Sequence, residues 1–185
     1  MKRRSLSMVA LFATLATAVA ASEGVPYQRV ADMLYQVMSA DREVYTRMVV
    51  QRLTIDEEVL TASEHYDDDL ALPLPSQMFR FGAERVMDET DEFSYSLLSL
   101  APINKKSGPG TPLEKEGLEH VADNPGENFY GEEDLGGDRY FTAIYPDFAV
   151  VEACVTCHNN HKDSPRRDLK VGEVMGGIVI RIPMD

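Results

Sequence analysis

The five residues from Cys154 to His158 hold the densest reactive chemistry of the chain. They read Cys-Val-Thr-Cys-His, so two thiols stand three positions apart and an imidazole directly follows the second thiol. This spacing lets the thiols form thioethers with the two vinyl groups of one haem, and it places the imidazole where it can bind the iron. The motif therefore predicts one covalently attached haem c, with Cys154 and Cys157 as attachment points and His158 as the proximal iron ligand.

Three other chemistries also use a C-x-x-C pair. A thioredoxin-like redox pair is expected in a strand–helix context near the start of a chain, whereas this pair comes late. A structural zinc ion needs four ligands, and only His158 and His161 lie nearby in sequence. A plain disulfide would explain the cysteines but not the adjacent histidine. The full five-residue pattern favours haem attachment.

A basic cluster follows the motif in an otherwise acidic chain and comprises Lys162, Arg166, Arg167 and Lys170. Haem propionates are carboxylates, which arginine can bind in a bidentate geometry. Arg166 and Arg167 are the preferred candidates, and the alternative is that the cluster only offsets nearby acidic residues. His161 follows His158 too closely to reach the opposite haem face, so we expect it to make hydrogen bonds instead.

The sixth iron ligand must come from elsewhere in the chain. Met48 is the first candidate, because it lies on the apolar stripe of a predicted long helix and a thioether can bind haem iron. Core packing is the alternative role for any methionine, and an open or water-bound site is a further possibility. The other candidates are Met33, Met38, Met78, His65 and His120.

Residues 1–21 are predicted to be a cleaved signal peptide. Basic residues at positions 2–4 precede an apolar run from Met8 to Ala18, and small residues suit cleavage after Ala20 or Ala21. The run is too short to span a bilayer comfortably, so cleavage is favoured over a retained membrane anchor. Since c-type haem is attached on the exported side of the membrane, this signal agrees with the motif and predicts a periplasmic protein.

The remaining residues, 22–185, are expected to form a single domain. The full chain of 185 residues has a net charge of −13, which becomes −16 once the three basic residues of the signal peptide are removed. This acidity argues against nucleic acid and against an anionic membrane surface. We expect a redox or signalling partner with a basic patch, and no stable membrane insertion after cleavage.

Hydrophobic periodicity predicts an α+β fold with an antiparallel sheet, flanking helices and a long N-terminal helix. The long helix is predicted over 27–53, with Val30, Leu34, Val37, Val44 and Met48 forming its apolar stripe. Ser76 is expected to cap a second helix over 77–87. Thr111 and Glu114 form a predicted capping box for a third helix ending near 122. Strands are predicted at 93–100, 139–145 and 177–182, and a turn at the glycine pair 136–137.

The chain resembles the PAS-like c-type haem domains, a family of exported monohaem proteins. The resemblance covers nearly all of the mature chain, and its final third is the most specific. It rests on 62–65, 72–75, 77–80, 93–104, 129–132, 139–146, 154–159, 161, 164–167 and 172–182.

This resemblance implies a PAS-like sheet, with haem held between the sheet, the attachment loop and the N-terminal helix. It also implies His158 as proximal ligand and a sulfur ligand from the N-terminal helix. Family members can use cysteine there, but this chain has no third cysteine, and Met48 is the substitute.

Electron transfer or redox and ligand sensing is the expected function. The alternative is a gas-sensing module that acts through a partner protein. A haem peroxidase is less favoured, because the sequence shows no separate acid–base set beyond His65 and His120. We therefore expect no enzymatic activity.

Overall fold

A long helix begins the part of the chain that the computed structural model describes, residues 24–184. It starts as α1 (Tyr27–Tyr45) and continues directly as a π-helical segment (Thr46–Asp56). The helix predicted over 27–53 is therefore confirmed and ends three residues later. The predicted signal peptide, 1–21, lies outside the described residues. Within the described residues, no helix is both long and apolar enough to cross a membrane.

The buried face of the long helix differs from the predicted apolar stripe. Val30 and Leu34 pack against the core as expected. Thr46 and Val50, four residues apart, share the buried face, so Met48 between them lies on the opposite side. Met48 is 65% exposed, and its predicted burial is wrong. The same correction applies to two other members of the predicted stripe, Val37 and Val44.

A short connection leads to the second long helix. It contains strand β1 (Ala62–Ser63), helix α2 (Tyr66–Asp69) and strand β2 (Leu72–Pro73), and β1 pairs with β2 in parallel. Helix α3 spans Pro75–Glu89. The predicted cap at Ser76 is wrong, because proline takes the first helical position and the backbone N–H of Leu74 donates to Gln77 Oε1 at 2.9 Å.

Four antiparallel strands form the main sheet: β3 (Ser94–Leu98), β4 (Phe129–Leu135), β5 (Asp138–Phe148) and β6 (Val174–Pro183). Their order is β3-β6-β5-β4. The glycine pair 136–137 makes the tight turn between β4 and β5, with positive φ at both residues. Three of the strands were predicted. Strand β4 was not predicted, because acidic residues at 132–134 interrupt its apolar pattern.

Helices cover both faces of this sheet. On one face, Ala31 of α1 and Phe79 of α3 pack against Ala143, Tyr145 and alternate residues of β6. On the other face, helix α4 (Pro112–Asp123) packs Leu118 and Val121 against Ile144 and Val179. Residues 143 and 145 face one side of the sheet and residue 144 the other, because successive side chains of a strand point to opposite faces.

The predicted capping box of α4 is confirmed and belongs to a larger charged network. The Glu114 N–H donates to Thr111 Oγ1 at 3.1 Å, and the Thr111 N–H donates to Glu114 Oε2 at 3.1 Å. Glu114 Oε1 also accepts from Arg181 Nη2 at 2.7 Å, while Arg181 Nε donates to Glu133 Oε1 at 2.8 Å. Burial raises the pKa of Glu133, but hydrogen bonds with Arg181, Thr111 and Thr142 and the charge of Arg181 together outweigh it, and the pKa is lowered. One guanidinium therefore joins β6, α4 and β4.

Replacing Arg181 with Met should lower the free energy of unfolding by about 3–5 kcal/mol at neutral pH, because two largely buried carboxylates lose their shared cation. The lowered pKa of Glu133 means that its contribution is present above the ordinary glutamate pKa of about 4.3 and is lost as pH falls through the folded-state value. Urea unfolding should therefore show the two proteins converging below about pH 4.

Arg139→Met is the matched control, since Arg139 makes an exposed ion pair with Glu132 on the same sheet. We expect it to cost less than about 1 kcal/mol. Equal losses in the Arg139 and Arg181 variants would contradict the role assigned to burial.

Candidate functional site

One short helix, α5 (Glu152–Asn160), carries the whole C-x-x-C-H motif. Cys154 and Cys157 are three residues apart and therefore lie on the same side of the helix. Both are free thiols. Cys154 is buried in a small apolar cluster with Ala149, Val151 and Leu169. The structure thus presents both thiols from one rigid element, with His158 in its last turn.

Hydrogen bonds to two other segments hold α5 in place, and a further one closes its C-terminal end. The Ala153 N–H donates to Gln51 Oε1 of the π-helical segment at 2.9 Å. Asn159 Nδ2 donates to the Leu169 carbonyl, and the Leu169 N–H donates to Asn159 Oδ1, both at 2.9 Å. The His161 N–H donates to the Cys157 carbonyl at 2.9 Å. The motif is therefore fixed to the N-terminal helix on one side and to the 166–169 loop on the other.

A cavity of about 120 Å³ lies beside His158. Arg166 lines it from the loop, and the remaining lining is mostly apolar side chains from α4, from the 166–169 loop and from the ends of β3 and β6. The apolar lining residues include Leu118, Ala122, Leu169 and Met175. An imidazole, an arginine and an apolar wall thus meet in one place.

Burial and charge set the ionisation of the motif. Burial lowers the pKa of His158, and the positive charge of Arg42 and the proximity of His161 lower it further. The imidazole is therefore neutral at neutral pH, which is the form that binds a metal. Burial raises the pKa of the Cys157 thiol, with smaller effects from Cys154 and Glu64. Catalytic redox cysteines have a lowered pKa instead, so this environment argues against thioredoxin-like chemistry.

The two candidate propionate ligands lie in different environments. Arg166 lines the cavity, but its guanidinium already pairs with Glu173 and with Asp168, and it donates to the Val174 carbonyl at 3.2 Å. Arg167 is more exposed and donates to the carbonyls of Asn159 and Lys162 at 3.3 and 3.2 Å. In these positions Arg166 orders the cavity wall, and Arg167 stabilises the C-terminal end of α5.

The candidate sixth ligands are scattered through the fold. Met48 faces away from the core, and its assignment as an iron ligand stays a prediction without the burial on which it relied. Met33 and His65 are exposed, whereas Met38 packs against the core beneath α1. Met78 is half-buried in α3, and His120 Nε2 lies 3.6 Å from Glu127 Oε2.

His161 makes hydrogen bonds, as expected from its position after the motif. Its Nδ1 accepts from the Asp163 N–H at 3.2 Å, and its Nε2 lies 3.5 Å from Glu64 Oε1. Among residues 24–184, no group of three or more His, Cys, Asp or Glu side chains is arranged to hold a metal ion.

Sequence reasoning missed two residues beside the motif, Arg42 and Met175. Arg42 lies on the buried side of the long helix, in the stretch where Val37, Val44 and Met48 face solvent, and no local pattern marks it. Met175 is the second residue of β6, and the predicted strand start at 177 leaves it outside that strand.

Comparisons with known proteins agree with this architecture. The sequence profile of the Tll0287-like proteins matches residues 25–183. The chain belongs to the Tll0287-like family. Its fold is similar to the crystal structure of the cyanobacterial heme-protein Tll0287, with a TM-score of 0.55 and 12% identity over 87% of this chain and 98% of that chain. Curated proteins offer no match to the sequence. The family resemblance and the PAS-like α+β fold predicted from the sequence are thereby confirmed.

In this member of the Tll0287-like family, Asn159→Ala should loosen the loop that closes the cavity. It leaves the N–H and the carbonyl of Leu169 without their partner, at a cost of about 1–3 kcal/mol for unpaired, partly buried groups. Hydrogen exchange at the Leu169 amide should accelerate by one to two orders of magnitude, at about 1.4 kcal/mol per factor of ten. The neighbouring exposed Asn160→Ala is the control, and equal acceleration in both variants would contradict this role.

Proposed function

We propose that this protein is an exported, monohaem c-type protein that acts in electron transfer or in redox and ligand sensing. The observation that carries the proposal is the placement of Cys154, Cys157 and His158 on one anchored helix, with His158 lining a cavity whose wall is mostly apolar. The similar cyanobacterial protein is a heme-protein, which supports the same cofactor here.

The chemistry of the side chains fits a haem c. Two free thiols can form thioethers, and a neutral imidazole can bind iron. Leu118, Ala122 and Leu169 offer an apolar surface for a porphyrin ring. Haem would supply a one-electron redox centre with one iron position set by a ligand other than His158. The protein's own part is to orient the imidazole and to exclude water from the ring.

Periplasmic location and an acidic surface belong to the same proposal. The signal peptide predicted at 1–21 leaves a mature chain with a net charge of −16, so electrostatic attraction would favour a redox or signalling partner with a basic patch. A gas-sensing module that acts through a partner is the second candidate. A peroxidase is disfavoured because His65 is exposed and His120 pairs with Glu127.

Covalent attachment is tested by producing the protein together with the c-type haem maturation machinery. We expect the pyridine haemochrome spectrum of a two-thioether haem and a polypeptide mass increased by one haem. Cys154→Ala and Cys157→Ala should each leave a single thioether, which shifts the haemochrome band to longer wavelength. His161→Ala is the control and should keep both thioethers. A bare polypeptide after co-production of the wild-type chain would contradict the proposal.

The cavity also offers a methionine for the sixth iron position. Met175 shares the cavity with His158, whereas Met48 is on the exposed face of the helix. If a thioether binds the iron, Met175→Ala should remove the methionine–iron charge-transfer band of the oxidised protein. Met48→Ala should leave that band unchanged. Loss of the band in Met48→Ala alone would restore the N-terminal helix as the source of the ligand, and a wild type without the band would favour sensing at an open position.

A further inference from the structure

A buried ion pair lies at the end of the sheet, on the side of the long helix. Arg42 of α1 and Asp147 of β5 are 3% and 5% exposed, and Arg42 Nη2 donates to Asp147 Oδ2 at 3.0 Å. Arg42 Nε has no hydrogen-bond partner, and no other buried side-chain nitrogen or oxygen in residues 24–184 lacks one. The pair therefore satisfies only part of the guanidinium.

An unpaired donor on a buried guanidinium is costly. Leaving such a group without an acceptor costs the desolvation energy of the donor, which is larger when the group is charged. Buried polar groups in proteins nearly always have a partner, so an orphan of this kind calls for a group that arrives later, such as a ligand or a bound water. An acceptor with negative charge suits a guanidinium best.

The position of Arg42 links this donor to the proposed haem site. Asp147 pairs in register with Gly176, which lines the cavity beside His158. Arg42 precedes Gln51 by nine residues on the same helix, and Gln51 accepts from the Ala153 N–H next to Cys154. The charge of Arg42 also reaches His158, whose pKa it helps to lower. Arg42 therefore lies on the same long helix as Gln51, which anchors the thiol-bearing helix α5.

We propose that Arg42 Nε donates a hydrogen bond to a propionate carboxylate of the haem bound through Cys154 and Cys157. This inference rests on the function proposed above. The thioethers fix one half of a haem c, and its two propionates project from the other half, so a second anchoring point is needed away from α5. The fork of a guanidinium can hold one carboxylate through Nη2 and another through Nε.

The other candidate arginines have no comparable donor to spare. Arg166 is already shared between Asp168, Glu173 and a backbone carbonyl, and Arg167 bonds two backbone carbonyls near the surface. Arg42 thus offers the buried cation, and Asp147 holds it in place. The contact would tie α1 and β5 directly to the cofactor.

Arg42→Lys is the sharpest test, because lysine keeps the charge and can still pair with Asp147 but lacks the Nε donor. Resonance Raman spectra of the matured holoprotein report the propionate bending mode, which shifts when a hydrogen bond to the carboxylate is lost. We expect this band to shift in Arg42→Lys. It should keep its wild-type position in Arg47→Lys, an exposed arginine of the same long helix paired with Glu43.

An unshifted band in Arg42→Lys would overturn the inference, as would a shift in Arg166→Lys alone, which would assign the propionate to the cavity wall. If Arg42→Lys fails to mature, Arg42→Gln combined with Asp147→Asn removes both charges together and should show the same shift. In the wild-type holoprotein, a slowly exchanging arginine Nε–H with a nuclear Overhauser effect to the propionate methylenes is expected, and its absence counts against the contact. A two-thioether pyridine haemochrome in the wild type would show that haem is attached, so that loss of the Arg42 contact alone would leave the proposed function standing.

Discussion

Strands β5 and β6 pair in antiparallel register from Tyr140 with Pro183 to Asp147 with Gly176, and this ladder decides where every part of the candidate site lies. The end of β5 leads through Ala149 into α5, and the start of β6 forms one wall of the cavity beside His158. The Ala149 N–H donates to the Glu173 carbonyl and its own carbonyl accepts from the Gly172 N–H, which closes the ladder at that end. Helix α5 and the cavity wall are therefore neighbours, because β5 ends at the edge of the sheet where β6 begins.

Polar groups, rather than apolar residues, fix the long helix over this sheet near the site. Arg42 reaches Asp147, and Thr46 Oγ1 donates to the Arg42 carbonyl at 2.7 Å, so the buried side of the helix is polar where it meets the end of β5. Further along β5 the contact is aromatic, since Tyr35 stacks on Tyr145 with ring centroids 4.1 Å apart. Replacing a buried pair by apolar residues is often no less stable. The presence of a buried Arg42–Asp147 pair near the C-x-x-C-H motif thus fits a role beyond stability.

Sequence reasoning succeeded where a signal is local. The capping box at Thr111 and Glu114 and the glycine turn at 136–137 are each complete within a few residues, and local hydrogen bonds and backbone conformation define them. It failed where the burial of a residue depends on a partner that is distant in sequence. Met48 was predicted to be buried because apolar side chains usually are, but the partner at Asp147 turns the polar side of the helix inward. Strand β4 was missed because the side chain of its Glu133 is buried against partners from other strands, Thr142 and, forty-eight residues later, Arg181.

The pKa of His158 links α5 to the long N-terminal helix. Burial is the main cause of the lowered pKa of His158, and the cation of Arg42 lowers it further by penalising the protonated imidazole, while Asp147 offsets the cost of burying that cation. Burial raises the pKa of Asp147, and Arg42 opposes this shift, so the carboxylate depends on the arginine in turn. The ionisation of His158 is thus set mainly by its burial, with a smaller contribution from the N-terminal helix through a pair that β5 holds. A change in position of the long helix would therefore alter that contribution, and with it the pKa of the imidazole, without any change in α5.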